Sequence, residues 1–566
     1  MRKAFRLRVS LKCCAFVVAA LVVMPLAAQM QQSDAVDLNA MYKIKQEALG
    51  NTSQVMKTLS YLTDVYGGRL TGSSNVQKAG DWTIGQLKQW GIENPHLEYW
   101  DFGRGWVNER FYVNVTSPVT YPLIAYPLAW TPGTKGAVTA EVIVIPPVTS
   151  EADLDKLKGT LKGRVVMLDV PREIMMSSEP LAHRYTEAEL AELSQQAIPG
   201  SGRGAPPNTG LSPQMLQAAQ QMQQQLRAKL NMMMLDEGVV AVLQSSRGDG
   251  GTVFVQSAGA VVPPPPPGQG GRGGRGPSVY ARTNPPPVLN QIAVAAEHYN
   301  RIYRTIHDDG VPVTVELNIQ NKFLDNDGKS FDVIGEIPGS DPKLADQIVM
   351  IGGHFDSWHT GTGATDNGVG SAVMLEVMRV LKASGLKMGR TVRIGLWTGE
   401  EQGLLGSRAY VANHFGAVNP DTRALELKQP EQGKFDVYLN IDNGSGKLRG
   451  IYTQGNDAAT PIFRTWMRPF EAMGMTTISP NNTGGTDHQS FDAVGLPGFQ
   501  FIQDPLEYDT RTHHSNMDVW DRVQQADLKQ MVAIVSTFVY QAANREQMFP
   551  RKPLPTPGAG GRRGGN

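Results

Sequence analysis

The chain has 566 residues, with 53 Lys+Arg against 53 Asp+Glu, 41% hydrophobic residues, and only 2 Cys beside 60 Gly and 37 Pro. That length allows several domains and a sizeable core; two cysteines exclude a disulfide scaffold or a four-cysteine zinc site; zero formal charge excludes a nucleic-acid binder held by bulk electrostatics. Ordinary hydrophobicity excludes wholesale disorder, while the glycine and proline content announces loops and low-complexity inserts.

Residues 1–28 read as a secretory signal peptide. Arg2, Lys3, Arg6, Arg8 and Lys12 form a basic stretch, Cys13–Leu26 is apolar, and Ala27-Ala28-Gln29 offers a cleavage point after Ala28. The apolar run falls short of the roughly 20 residues a membrane span needs. Both cysteines leave with this leader, and so do its five basic residues, which takes the 53 basic residues to 48 against 53 acidic. The mature chain is expected to be exported, periplasmic or secreted, with no membrane span after cleavage and no nucleic-acid partner.

From about Val36 to Trp106 the pattern is helical, in two amphipathic runs around the Gly-rich turn Gly67–Gly72. Short strands are predicted at Phe111–Val115 and Ala140–Ile145, and again in "GRVVMLDV" and "EGVVAVLQ". Residues 175–235, rich in Met, Gln and Ala, read as helices broken by "IPGSGRGAPPNTG". Residues 263–277, "PPPPPGQGGRGGRGP", are low complexity and cannot form a core.

Beyond Phe331 strands and helices alternate. Strands are predicted at Phe331–Ile337, Ile348–Ile351, Thr391–Trp397, Val437–Ile441 and Gly498–Ile502, with helices at Gly370–Leu386 and Leu404–His414. This rhythm implies an α/β fold, a mixed β-sheet flanked by helices on both faces. Such sheets place their sites just after strand ends.

Five segments after predicted strands carry metal-type ligands. "GGHFDSWHTGTGATDNGVG" holds His354, Asp356 and Asp366; "WTGEEQGLLGS" holds Glu400 and Glu401; "YLNIDNGSG" holds Asp442; "TGGTDHQSF" holds Asp487 and His488; "THHSNMD" holds His513, His514 and Asp518. Singly, each is common in an ordinary turn. In order, each at a strand end, they read as a carboxylate-rich two-metal site, for which zinc accepts both imidazole nitrogen and carboxylate oxygen.

These segments resemble the M28 family of zinc exopeptidases, specifically its larger members with an inserted protease-associated domain. "GGHFDSWHTGTGATDNGVG", "WTGEEQGLLGS" and "HHSNMD" match in order and spacing, and "GGRLTGS" and "FDVIGEIPGSD" add to them. The resemblance implies a peptidase domain split into 38–124 and 316–548, a protease-associated domain over 125–315 with helical and Pro/Gly-rich insertions, and a disordered tail over 549–566. It implies two Zn2+ per chain: His354 and Asp442 on one, Glu401 and His514 on the other, Asp366 bridging. Glu400 would be the general base on the bridging water, and Asp356 would contact His354 from behind. His513 would steady the tetrahedral intermediate or orient its loop; His488 would line the pocket; His359 would lie near substrate or serve as a loop hydrogen-bond partner.

The implied activity is hydrolysis at the end of a peptide substrate, an aminopeptidase first and a carboxypeptidase or dipeptidase second, with Arg511 as one candidate for binding an α-carboxylate. A receptor-like relative that has lost its ligands and a single-zinc cyclotransferase are remote alternatives. A homodimer is compatible with all of these.

Overall fold

The computed structural model describes residues 34–196, 213–264, 278–325, 327–419, 421–422 and 424–554. The leader with Cys13 and Cys14, most of the Pro/Gly/Arg stretch and the last twelve residues lie outside them. Among the described residues, no helix is long and apolar enough to cross a membrane.

Two eight-stranded sheets organise the chain. The first runs in the order Glu93–Asp101, Lys329–Ile337, Thr391–Trp397, Ile348–His354, Phe435–Asn440, Gly498–Gln503, Leu448–Tyr452, Thr477–Ser479. Its middle strands, Thr391–Trp397 through Gly498–Gln503, pair in parallel, while Lys329–Ile337 and Leu448–Tyr452 flank them antiparallel. The sheet is therefore mixed, and it is buried on both faces. Val349 and Ile351 point into one core with the helices Val369–Ala383 and Gln525–Asn544; Met350, between them, points into the other with Trp397, Tyr410, Phe435 and Phe491. This is the two-residue alternation of a strand, and each such side chain contributes about 1.5–3 kcal/mol on burial.

Beyond Phe331 the sequence pattern places the predicted strands and helices within three residues of where they form. It does not reveal the terminal helix Gln525–Asn544, whose buried residues lie on every side and leave little amphipathic stripe to read. The helical reading up to Trp106 also fails at its end. Glu93–Asp101 is an edge strand that pairs with Lys329–Ile337, Trp100 opposite Ser330.

The second sheet is inserted between those two paired strands, so the chain leaves the first sheet and returns to it side by side. Its order is Tyr121–Pro122, Gly105–Ser117, Val313–Leu324, Val138–Val144, Val165–Met167, Ala241–Ser245, Gln291–Val294, Ala125–Pro127. Because Gly105–Ser117 pairs along its length with Val313–Leu324, the inserted unit starts and ends outside the expected 125 and 315.

Residues 171–186, expected to be helical in part, run without a helix; Pro171 and Pro180 interrupt the backbone hydrogen-bond series. This strap leaves the inserted sheet and docks on the first. His183 and Leu506 exchange two backbone hydrogen bonds of 2.9 and 2.7 Å, and Arg184 spans Asp504 at 3.0 Å and Asp527 at 2.8 Å. The helix Glu187–Ser194 follows.

The expected tail also begins too early at 549. Phe549 is buried among Phe463, Trp466 and Phe499, and its N–H donates to Asp436 at 2.6 Å.

Candidate metal centre

The centre forms at the carboxyl ends of the parallel strands, where successive loops point to the same side. His354 is the last residue of Ile348–His354, Glu400 and Glu401 follow Thr391–Trp397, and Asp442 follows Phe435–Asn440. Asp366 comes from the loop before the helix Val369–Ala383, and His514 from a turn near the carboxyl end.

Each loop is tied by its own sequence. Gly363, at φ +63°, turns the Asp366 loop, and a Cβ there would lie 2.3 Å from Ser357 Oγ. The N–H groups of Thr365 and Asp366 donate to Asp518 at 2.5 and 3.2 Å. Asn367 Nδ2 donates to the Ile441 carbonyl at 2.7 Å, which fastens the Asp366 loop to the Asp442 loop. Burial lifts Asp518 to about 7, although both N–H groups favour its charged form.

The buried side chains of "GGRLTGS" lie beneath the centre. Arg69 is fully buried and donates to the carbonyls of Phe355, Leu62, Thr362 and Gly363 at 2.7–2.9 Å. Burial lowers its guanidinium to about 10, so it stays charged. Thr71 Oγ1 donates to Asp356 at 2.7 Å and accepts from the Gly399 N–H at 2.9 Å, joining the first two ligand loops.

The five predicted ligands come together, two histidines facing Asp366 and each bringing a second carboxylate. His354 Nε2 lies 3.1 Å from Asp366 Oδ1 and 3.1 Å from Asp442 Oδ1. His514 Nε2 lies 3.0 Å from Glu401 Oε2 and 3.4 Å from Asp366 Oδ2. Glu400 groups with His354 and Asp442, with ligand atoms within 4.8 Å of one another. His513 is a sixth neighbour, 3.8 Å from Asp366 Oδ2.

The electrostatics call for cations. Asp356, Asp366, Asp442, Asp487 and Asp518 are buried with Glu400 and Glu401 half-buried beside them, and Arg69 is the buried guanidinium among them. Burial holds Glu400 and Glu401 well above the usual carboxylate range. Burial also acts on Asp366, but the hydrogen bond from His354 and the charges of His513 and His514 outweigh it and hold Asp366 low. Asp366 Oδ2 and Glu401 Oε1 are buried without a hydrogen-bond partner among the described residues. Buried carboxylates are tolerated when paired or metal-bound, so the donor set fits divalent metal.

Residues 332–539, which contain all five ligands, match the description of peptidase family M28. The stretch that holds the centre is a peptidase family M28 domain. Carboxypeptidase Q of Mus musculus is 25% identical over 500 residues, covering 87% of this chain and 86% of its own. A peptidase M28 precursor from Shewanella amazonensis SB2B, 22% identical, shares the fold with a TM-score of 0.60 over 92% of this chain and 99% of that one. BSAP, a zinc aminopeptidase from Bacillus subtilis, 17% identical, does so at 0.52 over 87% and 95%.

Three other predicted neighbours are fixed by their own hydrogen bonds. His354 Nδ1 meets the Asp356 backbone carbonyl at 3.0 Å, closer than the Asp356 carboxylate at 3.5 Å. That carboxylate also accepts from Thr71 and the Glu400 N–H. His488 does not line the pocket; it is fully buried, bonded to the Thr483 carbonyl, and burial lowers it to about 4. His359 donates to the Pro127 carbonyl at 2.9 Å and meets Trp106 edge-on, so it links the first ligand loop to the inserted sheet.

Sequence reading misses Tyr508, whose hydroxyl donates to Asp366, and the roles of Arg69, Thr71 and Asn367. Tyr508 carries no motif. Arg69 stands in a segment whose glycines were legible but whose partners, nearly 300 residues on, were not.

Proposed function

We propose that the chain is an exported two-zinc exopeptidase acting on short peptides, with His354 and Asp442 holding one ion, Glu401 and His514 the other, and Asp366 shared. The observation that carries this reading is that His354 and His514 both face the buried Asp366, His354 with Asp442 beside it and His514 with Glu401. Bound zinc would lower the pKa of water from 15.7 toward about 7 and polarise the scissile carbonyl.

The protein's own part is positioning and proton transfer. Glu400, held above the usual range by burial, takes a proton from the attacking water and returns it to the leaving amine. The Asp356 carbonyl accepts from His354 Nδ1, which leaves Nε2 free to face metal. The inserted sheet is read as the protease-associated unit. Its strap forms one side of a cavity of about 270 Å³ beside Tyr508, lined also by Arg184, Glu507 and Arg522, which suits a polar substrate side chain.

Two readings of the chain end stand. The aminopeptidase reading follows the motif resemblance and the Bacillus zinc aminopeptidase fold. The carboxypeptidase or dipeptidase reading is favoured by the coverage of carboxypeptidase Q over nearly the whole chain. Arg511 is a poor carboxylate receptor, because it leans on Glu507 at 3.6 Å. Arg247 is a better one: it lies 4.1 Å above the Phe254 ring, beside the His514 turn, with no carboxylate in ion-pair range among the described residues. A panel of free, N-acetylated and C-amidated dipeptides, with chelator and zinc add-back, separates the readings. Activity that survives chelation would overturn both.

A further inference from the structure

The two imidazoles of the centre are steadied by different parts of the molecule. His354 is held from within the first sheet, by the Asp356 carbonyl at 3.0 Å. His514 is held by the inserted unit. The Val255 N–H donates to the His514 carbonyl at 2.8 Å, the Asn516 N–H donates to the Val253 carbonyl at 3.1 Å, and the Val253 N–H donates to Asn516 Oδ1 at 2.7 Å. Phe254 and Ser515 form an antiparallel bridge between them. His514 has φ +65°, the left-handed region that non-glycine residues rarely adopt without outside support. The bracket of 252–256 supplies that support.

Gln256 completes the bracket. Its amide nitrogen lies 3.1 Å from His514 Nδ1. With no metal on the ring, Nε2–H donates to Glu401 Oε2 at 3.0 Å and Nδ1 accepts from the amide. When Nε2 binds metal, the ring proton moves to Nδ1, and its partner must accept. A half-turn of the glutamine amide exchanges nitrogen for oxygen and meets that need in place. A carboxylate can only accept and an ammonium can only donate; an amide serves both states.

We propose that Gln256 is a positioning residue for the His514 metal, so that the inserted unit completes half of the centre. This rests on the reading of His514 as a ligand. Nothing about Gln256 suggests this in sequence: it lies 258 residues before its partner.

The experiment is competition of the full-length protein against a chelator, resolving the two zinc affinities, with melting temperature measured alongside. Gln256 is exposed, so replacement should leave the fold intact. Gln256→Leu is expected to weaken one ion 10–100-fold, the range seen when a ligand's hydrogen-bond partner is removed, and to leave the other within about threefold. Gln256→Glu, which keeps an acceptor, is expected to stay at or above the wild-type affinity for both.

Two wild-type affinities in Gln256→Leu would overturn the proposal. So would equal losses in the Leu and Glu variants, or loss of both ions together with a fall in melting temperature. His514→Ala separates the underlying reading: if that variant still binds two ions as wild type does, His514 is not a ligand, and the fault lies there rather than with Gln256.

Discussion

Tyr508 donates its hydroxyl proton to Asp366 Oδ1 at 3.0 Å, across 142 residues of chain. Burial, reinforced by the Asp366 charge, holds the phenol well above its ordinary value, so the hydroxyl remains a donor at neutral pH. The bond fixes the carboxylate that His354 and His514 both face and leaves Oδ2 toward His514. A hydrogen bond to a charged group contributes about 1.5–3 kcal/mol. Tyr508→Phe is therefore expected to lower kcat/KM on a dipeptide at least roughly tenfold while the melting temperature stays close to wild type. Unchanged kinetics would remove Tyr508 from the site.

Glu400 is the proton carrier of the proposed reaction. Glu400→Gln keeps the shape and the bond from its N–H to Asp356. It is expected to lose about 10²–10⁴ in kcat and to retain both metals by elemental analysis. Near-wild-type turnover would reassign the base.

Asp518 acts on Asp366, the proposed shared ligand, through backbone. Asp518→Ala leaves the Thr365 and Asp366 N–H groups without their acceptor, at about 1–3 kcal/mol for each buried orphan. A fall in metal affinity and in urea midpoint together is expected. A fall in neither would mean that the Asp366 loop holds its own shape.

Arg69 satisfies four carbonyls from a site with no access to water. Arg69→Met fills the volume but leaves those carbonyls and the nearby carboxylates uncompensated. A loss of about 3–5 kcal/mol is expected, as for removing one partner of a buried charge pair, measured by urea unfolding.

Asp436 offers a pH signature away from the metals. Burial raises it to about 6, against the opposing charge of Arg390 and the Phe549 N–H. Its folded value lies above its unfolded one, so it contributes stability fully below about pH 4 and loses it as pH rises through 6. The stability of the wild type relative to Asp436→Asn should fall across pH 4 to 6 and then level off, read from urea midpoints at each pH. A flat difference would show that Arg390, 3.5 Å away, keeps the carboxylate ionised throughout.

By itself the sequence determined the parts whose cause is local. Short apolar runs set the strands Ile348–His354 and Thr391–Trp397, glycines such as Gly363 set the candidate ligand loops, and residue type set which side chains are proposed to bind metal. Tertiary structure decided what depends on packing between distant segments. It put the Asp356 carbonyl closer to His354 than the carboxylate, brought Tyr508 to Asp366, buried His488, placed a strap beside the centre, and set Gln256 against His514. Periodicity and spacing report the backbone within about ten residues. The second partner of an imidazole is whichever chain happens to pack behind it, and no property of the imidazole's own neighbours records that.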